Sequence, residues 1–251
     1  MLDRAQLKRE AKEINRSAHV SACLFALIYL AITFILQALD DYVSGDVVAY
    51  MQKNFSEIPV PQFLLHAEFP TAVVLFVSIA VTLLCFILEA GWALYLLGVR
   101  RGETMGYGTL FDGFSFAGKL ILLNLLMTIF IALWSMLFVI PGIIASYRYR
   151  FAVYNLCENP ELGVMEALSM SKAQTAGYKG QLFVLDLSFI GWLLLSSLTM
   201  GILLIWVAPY YEQTKVGYFQ QIKREKNIGY FPGNETNDTP HASEPFDPER
   251  S

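Results

Sequence analysis

The sequence contains, at residues 138–150, the stretch FVIPGIIASYRYR, which joins two long apolar segments through a Pro-Gly break. Arg148 and Arg150 then follow inside the second apolar segment. An arginine near the centre of a membrane span costs roughly 2.5–3.5 kcal/mol on insertion scales, so such a charge usually has a partner. Glu89 and Asp186 lie within other apolar segments and are available as partners. The stretch therefore predicts a membrane protein that holds a cluster of charged residues between its helices.

The composition favours the lipid bilayer as the main partner of this chain. Of its 251 residues, 55% are hydrophobic and 16% are charged. Soluble domains carry about 25% charged residues, so the deficit is large. With a net charge of -4, the chain shows no basic surface of the kind that nucleic acid requires. Protein partners and the oligomeric state stay open at this point.

The distribution of apolar runs predicts an all-α fold, a polytopic transmembrane helical bundle with amphipathic interfacial helices. An amphipathic interfacial helix is expected over residues 1–17, the bundle over 18–227 and a disordered acidic tail over 228–251. Six spans are expected, at residues 18–39, 71–99, 116–140 and 141–156, with two more inside 181–210 that break at 199–201.

Four spans are the alternative topology. They result if residues 181–210 form one long span and residues 141–156 do not cross. Basic residues near both ends of the chain place both termini in the cytoplasm in either case. The expected location is therefore the plasma membrane of a bacterium, with a multi-pass arrangement.

Local patterns predict where several elements begin and end. Pro141 and Gly142 are predicted to break the helix after the third span, because proline suits the first turn of a new helix. Asn159 is predicted to cap an amphipathic interfacial helix that ends at Gly177. Residues 101–115 are rich in glycine and are predicted to form a short inner loop.

Five polar side chains inside the apolar segments form the predicted intramembrane cluster: Glu89, Asn124, Arg148, Arg150 and Asp186. With six spans and a rise of about 1.5 Å per residue, they lie about 9–16 Å from the cytoplasmic ends of their segments. Arg148 and Arg150 point to opposite faces of their helix, so each needs its own partner. We expect Arg150 to pair with Asp186, and Arg148 to face Glu89 or Asn124. The cluster either fixes helix packing or provides a polar path for an ion or a lipid headgroup.

Motifs for catalysis or metal binding are not found in the sequence. The three histidines, His19, His66 and His241, are widely separated. Neither a nucleophile elbow, nor a glycine-rich phosphate loop, nor the helical zinc-protease motif occurs. The sequence therefore indicates a protein that is not an enzyme and that has no cofactor and no metal site.

Several ordered runs resemble a family of small bacterial membrane proteins, the domain of unknown function numbered 975. These runs are GYGTLFDGF at 106–114, LFVIPGII at 137–144, ENPEL at 158–162 and LFVLDLSFIGW at 182–192. The resemblance implies a helical membrane bundle of unassigned role and no catalytic residues. The stretch from Glu166 to Ser171 is also distantly similar to the membrane part of glycerophosphodiester phosphodiesterases, whose catalytic barrel is not seen here.

Two functions remain open from the sequence. The first is a non-enzymatic integral membrane protein of unassigned role, in envelope or lipid organisation. The alternative is a small transporter or lipid-handling protein that uses the charged cluster. Transporters are often built from two related halves, and no such repeat is apparent in this sequence.

Overall fold

A computed structural model describes residues 4–18, 21–45, 69–199 and 201–229, and within these ranges the chain is helical without any strand. The tail from residue 230 onward and most of the loop before residue 69 lie outside the described residues. In chain order the elements are α1 (Arg4–Ser17), α2 (Ala22–Ser44), α3 (Thr71–Arg100), a 3₁₀ segment (Tyr107–Phe116), α4 (Ala117–Leu137), α5 (Val139–Tyr149), α6 (Ala152–Glu158), α7 (Val164–Thr175), α8 (Lys179–Leu198) and α9 (Leu204–Lys226). The predicted all-α class is therefore confirmed.

Among the residues that the structure describes, four stretches are long and apolar enough to cross a membrane: α2, α3, the 3₁₀ segment together with α4, and α8. Their outer faces carry large exposed apolar side chains such as Phe34, Phe76 and Leu194. Apolar surface of this extent is typical of contact with lipid rather than with water. Six spans are not confirmed, because α5 has only 11 residues and α9 carries several charges in its second half.

Polar contacts join one end of the bundle. Arg100, the last residue of α3, donates hydrogen bonds to Gln220 of α9 at 2.9 Å and to Glu10 of α1 at 3.1 Å. Lys223 near the end of α9 donates to Glu158, the last residue of α6, at 2.7 Å. The ends of α3, α6 and α9 therefore lie together, with α1 packed beside them.

The break between α4 and α5 falls at Phe138 and not at the predicted Pro141 and Gly142. Phe138 is extended, with φ −159° and ψ 150°, and the next helix begins at Val139. Pro141 lies in the first turn of α5, where the backbone N–H groups have no partner within the helix. Gly142 instead permits close packing on α4, since a β-carbon there would lie 2.9 Å from the Cα of Ser135.

The glycine-rich stretch predicted as an inner loop is largely a 3₁₀ helix. Tyr107–Phe116 packs along α3, and Gly113 within it allows the two backbones to touch. A β-carbon on Gly113 would lie 2.5 Å from the carbonyl oxygen of Ile87. The prediction failed because glycine supports both loops and close backbone contacts, and the sequence alone does not separate them.

The helix after Asn159 begins later than predicted. The side-chain oxygen of Asn159 accepts a hydrogen bond from the N–H of Glu161 within a turn, and α7 starts at Val164. Gly177 follows the helix with φ 83°, as expected of a glycine that terminates a helix. The polar residues of α7 do not all face outward, because Ser171, Gln174 and Thr175 are fully buried. An interfacial position of α7 stays a prediction.

Helix α1 forms where the amphipathic pattern predicts it, and its apolar face packs against protein. Leu7 and Ala11 are buried, mainly against α9. The Nζ of Lys8 donates to the Oγ of Ser188 at 2.9 Å and lies 4.3 Å from the ring centroid of Phe189, both on α8. Burial, together with the charge of Arg4, lowers the pKa of the Lys8 ammonium. The helix is therefore docked on the bundle, and its contact with the membrane surface stays a prediction.

Candidate functional site

Arg150 and Asp186 form a bidentate ion pair between the α5–α6 junction and α8. The Nη1 of Arg150 lies 2.6 Å from Oδ2 of Asp186, and its Nη2 lies 2.7 Å from Oδ1. This is the pair predicted from depth and helix face. The two side chains are 14% and 27% exposed, so water screens the interaction little. Two parallel hydrogen bonds also fix the orientation of the guanidinium.

Two tyrosines complete the surroundings of this pair. The hydroxyl of Tyr147 donates to Asp186 at 2.6 Å, and that of Tyr211 donates to the other carboxylate oxygen at 2.8 Å. Arg150 also donates to the hydroxyl of Tyr211 at 2.8 Å. The network therefore connects α5, α8 and α9. Tyr147 was not predicted as a member, although it lies three residues before Arg150 and thus on the same helix face.

A cavity of about 380 Å³ lies beside the network in the middle of the bundle. Its walls come from α2, α3, α4, α5, α6 and α9, together with Arg150 at the α5–α6 junction. Ligand pockets in proteins occupy about 300–1,000 Å³, so the volume suits a small ligand. Half of the sixteen lining residues are charged or aromatic: Glu89, Arg150, Glu212, Lys215, Tyr29, Trp92, Tyr149 and Tyr154.

A second ion pair lines the cavity from α9. The Nζ of Lys215 donates to Glu212 one turn earlier, at 2.8 Å. The hydroxyl of Tyr154 donates to the other oxygen of the same carboxylate at 3.2 Å. Both charged side chains are largely enclosed by protein. Sequence reasoning missed this pair because α9 continues past the predicted end of the last span. The feature that could have identified the pair is the spacing of three residues between its opposite charges.

Glu89 of α3 contributes a carboxylate that faces the open cavity. Within the described ranges, no side chain donates a hydrogen bond to it and no cationic nitrogen lies within 4.0 Å. Lys215 attracts it through space, but the ammonium of Lys215 is bonded to Glu212. The site thus combines three carboxylates with two cations. The carboxylates are those of Glu89, Asp186 and Glu212, and the cations are Arg150 and Lys215. With all five groups ionised, the formal charge of the site is one negative unit.

Asn124, a predicted member of the cluster, is occupied within its own helix. Its side-chain amide donates to the carbonyl oxygen of Leu120, one turn earlier on α4, at 3.2 Å. The main-chain carbonyl oxygen of Asn124 accepts a hydrogen bond from the hydroxyl of Thr128 at 2.8 Å. The residue is buried but does not line the cavity. It therefore contributes to α4 and not to the charged site.

Arg148 points away from the cavity that Arg150 lines, as expected for residues two apart on a helix. The structure does not bring it to Glu89 or Asn124, so that part of the prediction is wrong. The carbonyl oxygen of Arg148 accepts hydrogen bonds from two buried hydroxyl groups of α7, and the charge of Arg148 acts on Lys179. The reason is the short helix α7, which occupies the space on that side of α5.

Metal ligands do not cluster in the part of the chain that the structure describes. There, no group of three or more His, Cys, Asp or Glu side chains is arranged to hold a metal ion. Cys23, Cys85 and Cys157 are free thiols. Cys157 is buried, with its sulfur 3.7 Å from the carbonyl oxygen of Ala90. The chemistry of the site thus rests on its charged and aromatic side chains.

Comparison with known families places most of this site within one matched segment. The model of the family described as protein of unknown function (DUF975) matches residues 136–226. That segment includes Arg150, Asp186, Glu212 and Lys215, whereas Glu89 precedes it. No match was found among curated proteins or among solved structures, and the distant similarity to phosphodiesterases has no support. Residues 136–226 of this chain are therefore similar to the DUF975 family of proteins of unknown function.

Proposed function

We propose that this protein binds a small polar ligand within the membrane, in the cavity between α2, α3, α4, α5, α6 and α9. The observation that carries the proposal is an open volume lined by Glu89, Arg150, Glu212 and Lys215 among apolar helices. A charge cluster that only fixes helix register needs no open volume. The cavity therefore favours a small transporter or lipid-handling protein over a purely organising role.

The energetic cost of the charged lining supports a binding role. Ionisable residues within membrane segments are expensive and usually mark substrate sites or ion paths. Apolar residues of similar volume often replace a buried ion pair at no loss, or with a gain of about 1–4 kcal/mol. We propose binding without catalysis, because Asp186 and Glu212 hold the two cations of the site and leave only Glu89 uncommitted.

We further infer that the chain crosses the bilayer six times. Helices α5 and α6 are separated by two residues, and residues 139–158 would extend about 30 Å as a helix, which matches the hydrocarbon core. Helix α8 ends at Leu198 and α9 begins at Leu204, and the first half of α9 is apolar enough to return across the bilayer. With six crossings the cavity lies inside the bilayer.

The orientation of the chain in the membrane is inferred from three basic residues, Arg100, Lys119 and Lys223, which lie at the same end of the bundle. Lys119 at the start of α4 donates to the carbonyl oxygen of Pro160, two residues after Glu158, and Lys223 donates to Glu158. Lys119 and Lys223 therefore lie at the same end of the bundle. Basic residues concentrate on the cytoplasmic side of membrane proteins. We therefore propose that this end and both termini face the cytoplasm, in the plasma membrane of a bacterium.

Filling the cavity tests the binding role. Ala208 lines the cavity from α9, and Ala208→Phe would occupy part of the volume without removing a charge. The probes are ethylammonium, acetate and acetamide, which are similar in size and differ in charge. We expect at least one probe to raise the thermal unfolding midpoint of the wild-type protein, since a ligand at 100 Kd stabilises by about 2.7 kcal/mol. Tryptophan fluorescence during heating of the purified protein gives the measurement.

The control is Ala72→Phe, because Ala72 is exposed near the start of α3 and does not line the cavity. This variant should respond to the probes as the wild-type protein does, whereas Ala208→Phe should not. The binding role is contradicted if no probe shifts the midpoint of the wild-type protein, or if Ala208→Phe responds to the same extent.

A further inference from the structure

We propose that the cavity selects a ligand that carries an ammonium group and that Glu89 is the acceptor of that group. The proposal rests on the binding function proposed above and adds the chemical class of the ligand. Its first support is the charge of the site. Glu89 and Glu212 line the cavity together with Arg150 and Lys215, and Asp186 pairs with Arg150 beside it, so three carboxylates meet two cations among the described residues. An uncompensated charge within a membrane segment is costly, so a cationic ligand complements the site.

The second support is the commitment of the two cations. The guanidinium of Arg150 makes two hydrogen bonds to Asp186 and one to Tyr211. The ammonium of Lys215 is bonded to Glu212 and lies 5.1 Å from the ring centroid of Tyr211. An anionic ligand would have to displace one of these carboxylates. A cationic ligand meets Glu89, which has no hydrogen-bond donor among the residues that the structure describes.

The third support is the aromatic wall next to Glu89. Trp92 lies three residues after Glu89 and therefore on the same face of α3. Its ring stacks on that of Tyr29 from α2, with the centroids 5.2 Å apart, and both residues line the cavity. The faces of tryptophan and tyrosine attract organic cations, most strongly where water is excluded. A carboxylate beside aromatic faces is the combination that recognises primary and quaternary ammonium groups.

Two sources supply this chemistry: a free amine from the aqueous phase and the amine headgroup of a phospholipid. Both present a compact ammonium, and both fit a cavity of about 380 Å³. A metal cation is a poorer match, because the described residues contain no group of three His, Cys, Asp or Glu side chains that could hold one. The shared feature is therefore the ammonium group, and the experiment separates the two sources.

The test compares ammonium binding in the wild-type protein and in Glu89→Gln. Ethylammonium and tetramethylammonium are titrated into the purified full-length protein by calorimetry, with acetate as the anionic probe. We expect Glu89→Gln to weaken ammonium binding at least about tenfold, because a charge-assisted interaction is lost. The unliganded variant should unfold at or near the wild-type temperature, since no described partner loses its bond. Glu103→Gln is the matched control, because Glu103 is exposed and pairs with Arg101 outside the cavity.

Vesicles separate the two sources. If phosphatidylethanolamine raises the unfolding midpoint above that in phosphatidylglycerol, and Glu89→Gln removes the difference, the ligand is a lipid headgroup. If only the free amines bind through Glu89, the ligand is a soluble amine. Either result supports the ammonium site. The proposal is overturned if acetate or acetamide binds in the cavity, so that Ala208→Phe blocks its binding, and ammonium does not bind. It is also overturned if Glu89→Gln binds ammonium as tightly as the wild-type protein. If no soluble probe binds and the two lipids give the same midpoint, the binding function itself is overturned, and the ammonium site with it.

Discussion

Asp186→Asn should lower the free energy of unfolding by about 3–5 kcal/mol, the usual cost of removing one partner from a buried ion pair. The substitution leaves the guanidinium of Arg150 without a counter-charge in a site that is largely closed to water. It also weakens the acceptor for the hydroxyls of Tyr147 and Tyr211. Reversible unfolding of the purified protein in detergent, followed by fluorescence, measures the change.

A double substitution separates charge from packing. Asp186→Asn combined with Arg150→Gln should recover part of the lost stability, because neither charge is then left unpaired. Asp112→Asn is the control, since Asp112 is exposed in the 3₁₀ segment and should change stability by no more than about 0.5 kcal/mol. A loss below about 1 kcal/mol in the single variant, or a double variant that is less stable than the single one, would show that the pair does not hold the bundle.

Gly91→Ala should destabilise the bundle by about 1–3 kcal/mol or more, because the added methyl group has no room. A β-carbon on Gly91 would overlap the carbonyl of Leu110 and lie 2.8 Å from its Cα. The obstacle is backbone of the 3₁₀ segment, which cannot rotate away as a side chain can. The two elements would have to separate along the middle of α3. Thermal unfolding of the variant measures the loss.

Gly191→Ala is the matched control for this substitution. Gly191 also lies in the middle of an apolar helix, α8, but a β-carbon there meets nothing within 4 Å. We expect its stability to stay constant or to rise by up to about 1 kcal/mol, because alanine favours the helix over glycine. Equal losses in the two variants would attribute the effect to glycine in general and not to the contact with Leu110.

The sequence allowed prediction of the parts of the fold that depend on one segment at a time. Apolar runs identify the helices, and a charge inside such a run needs a partner, so Arg150 and Asp186 could be paired from depth and face alone. Glu212 and Lys215 could not be placed, because the second half of α9 has the composition of a cytoplasmic helix. Its inward face becomes apparent only when α2, α3 and α9 are packed together.

Boundaries and cavities were harder to predict, for physical reasons. Proline is tolerated in the first turn of a helix, so Pro141 marks the neighbourhood of the break but not its position. Ser171 and Gln174 are polar residues within the predicted interfacial helix, yet both are buried and their hydrogen bonds are satisfied inside the protein. A cavity arises from the misfit of several helices and leaves no pattern in any one of them.

The cavity lies inside the bilayer only if the chain crosses the membrane six times. The number of crossings is tested most directly by determining on which side of the membrane α7 lies. Lys172 is exposed on α7, and Thr71 is exposed at the start of α3. In a background without Cys23, Cys85 and Cys157, an impermeant maleimide should label Thr71→Cys in intact cells but Lys172→Cys only after permeabilisation. Labelling of Lys172→Cys from outside would indicate four crossings, with the arginines and Asp186 near the outer surface, and would contradict an intramembrane site.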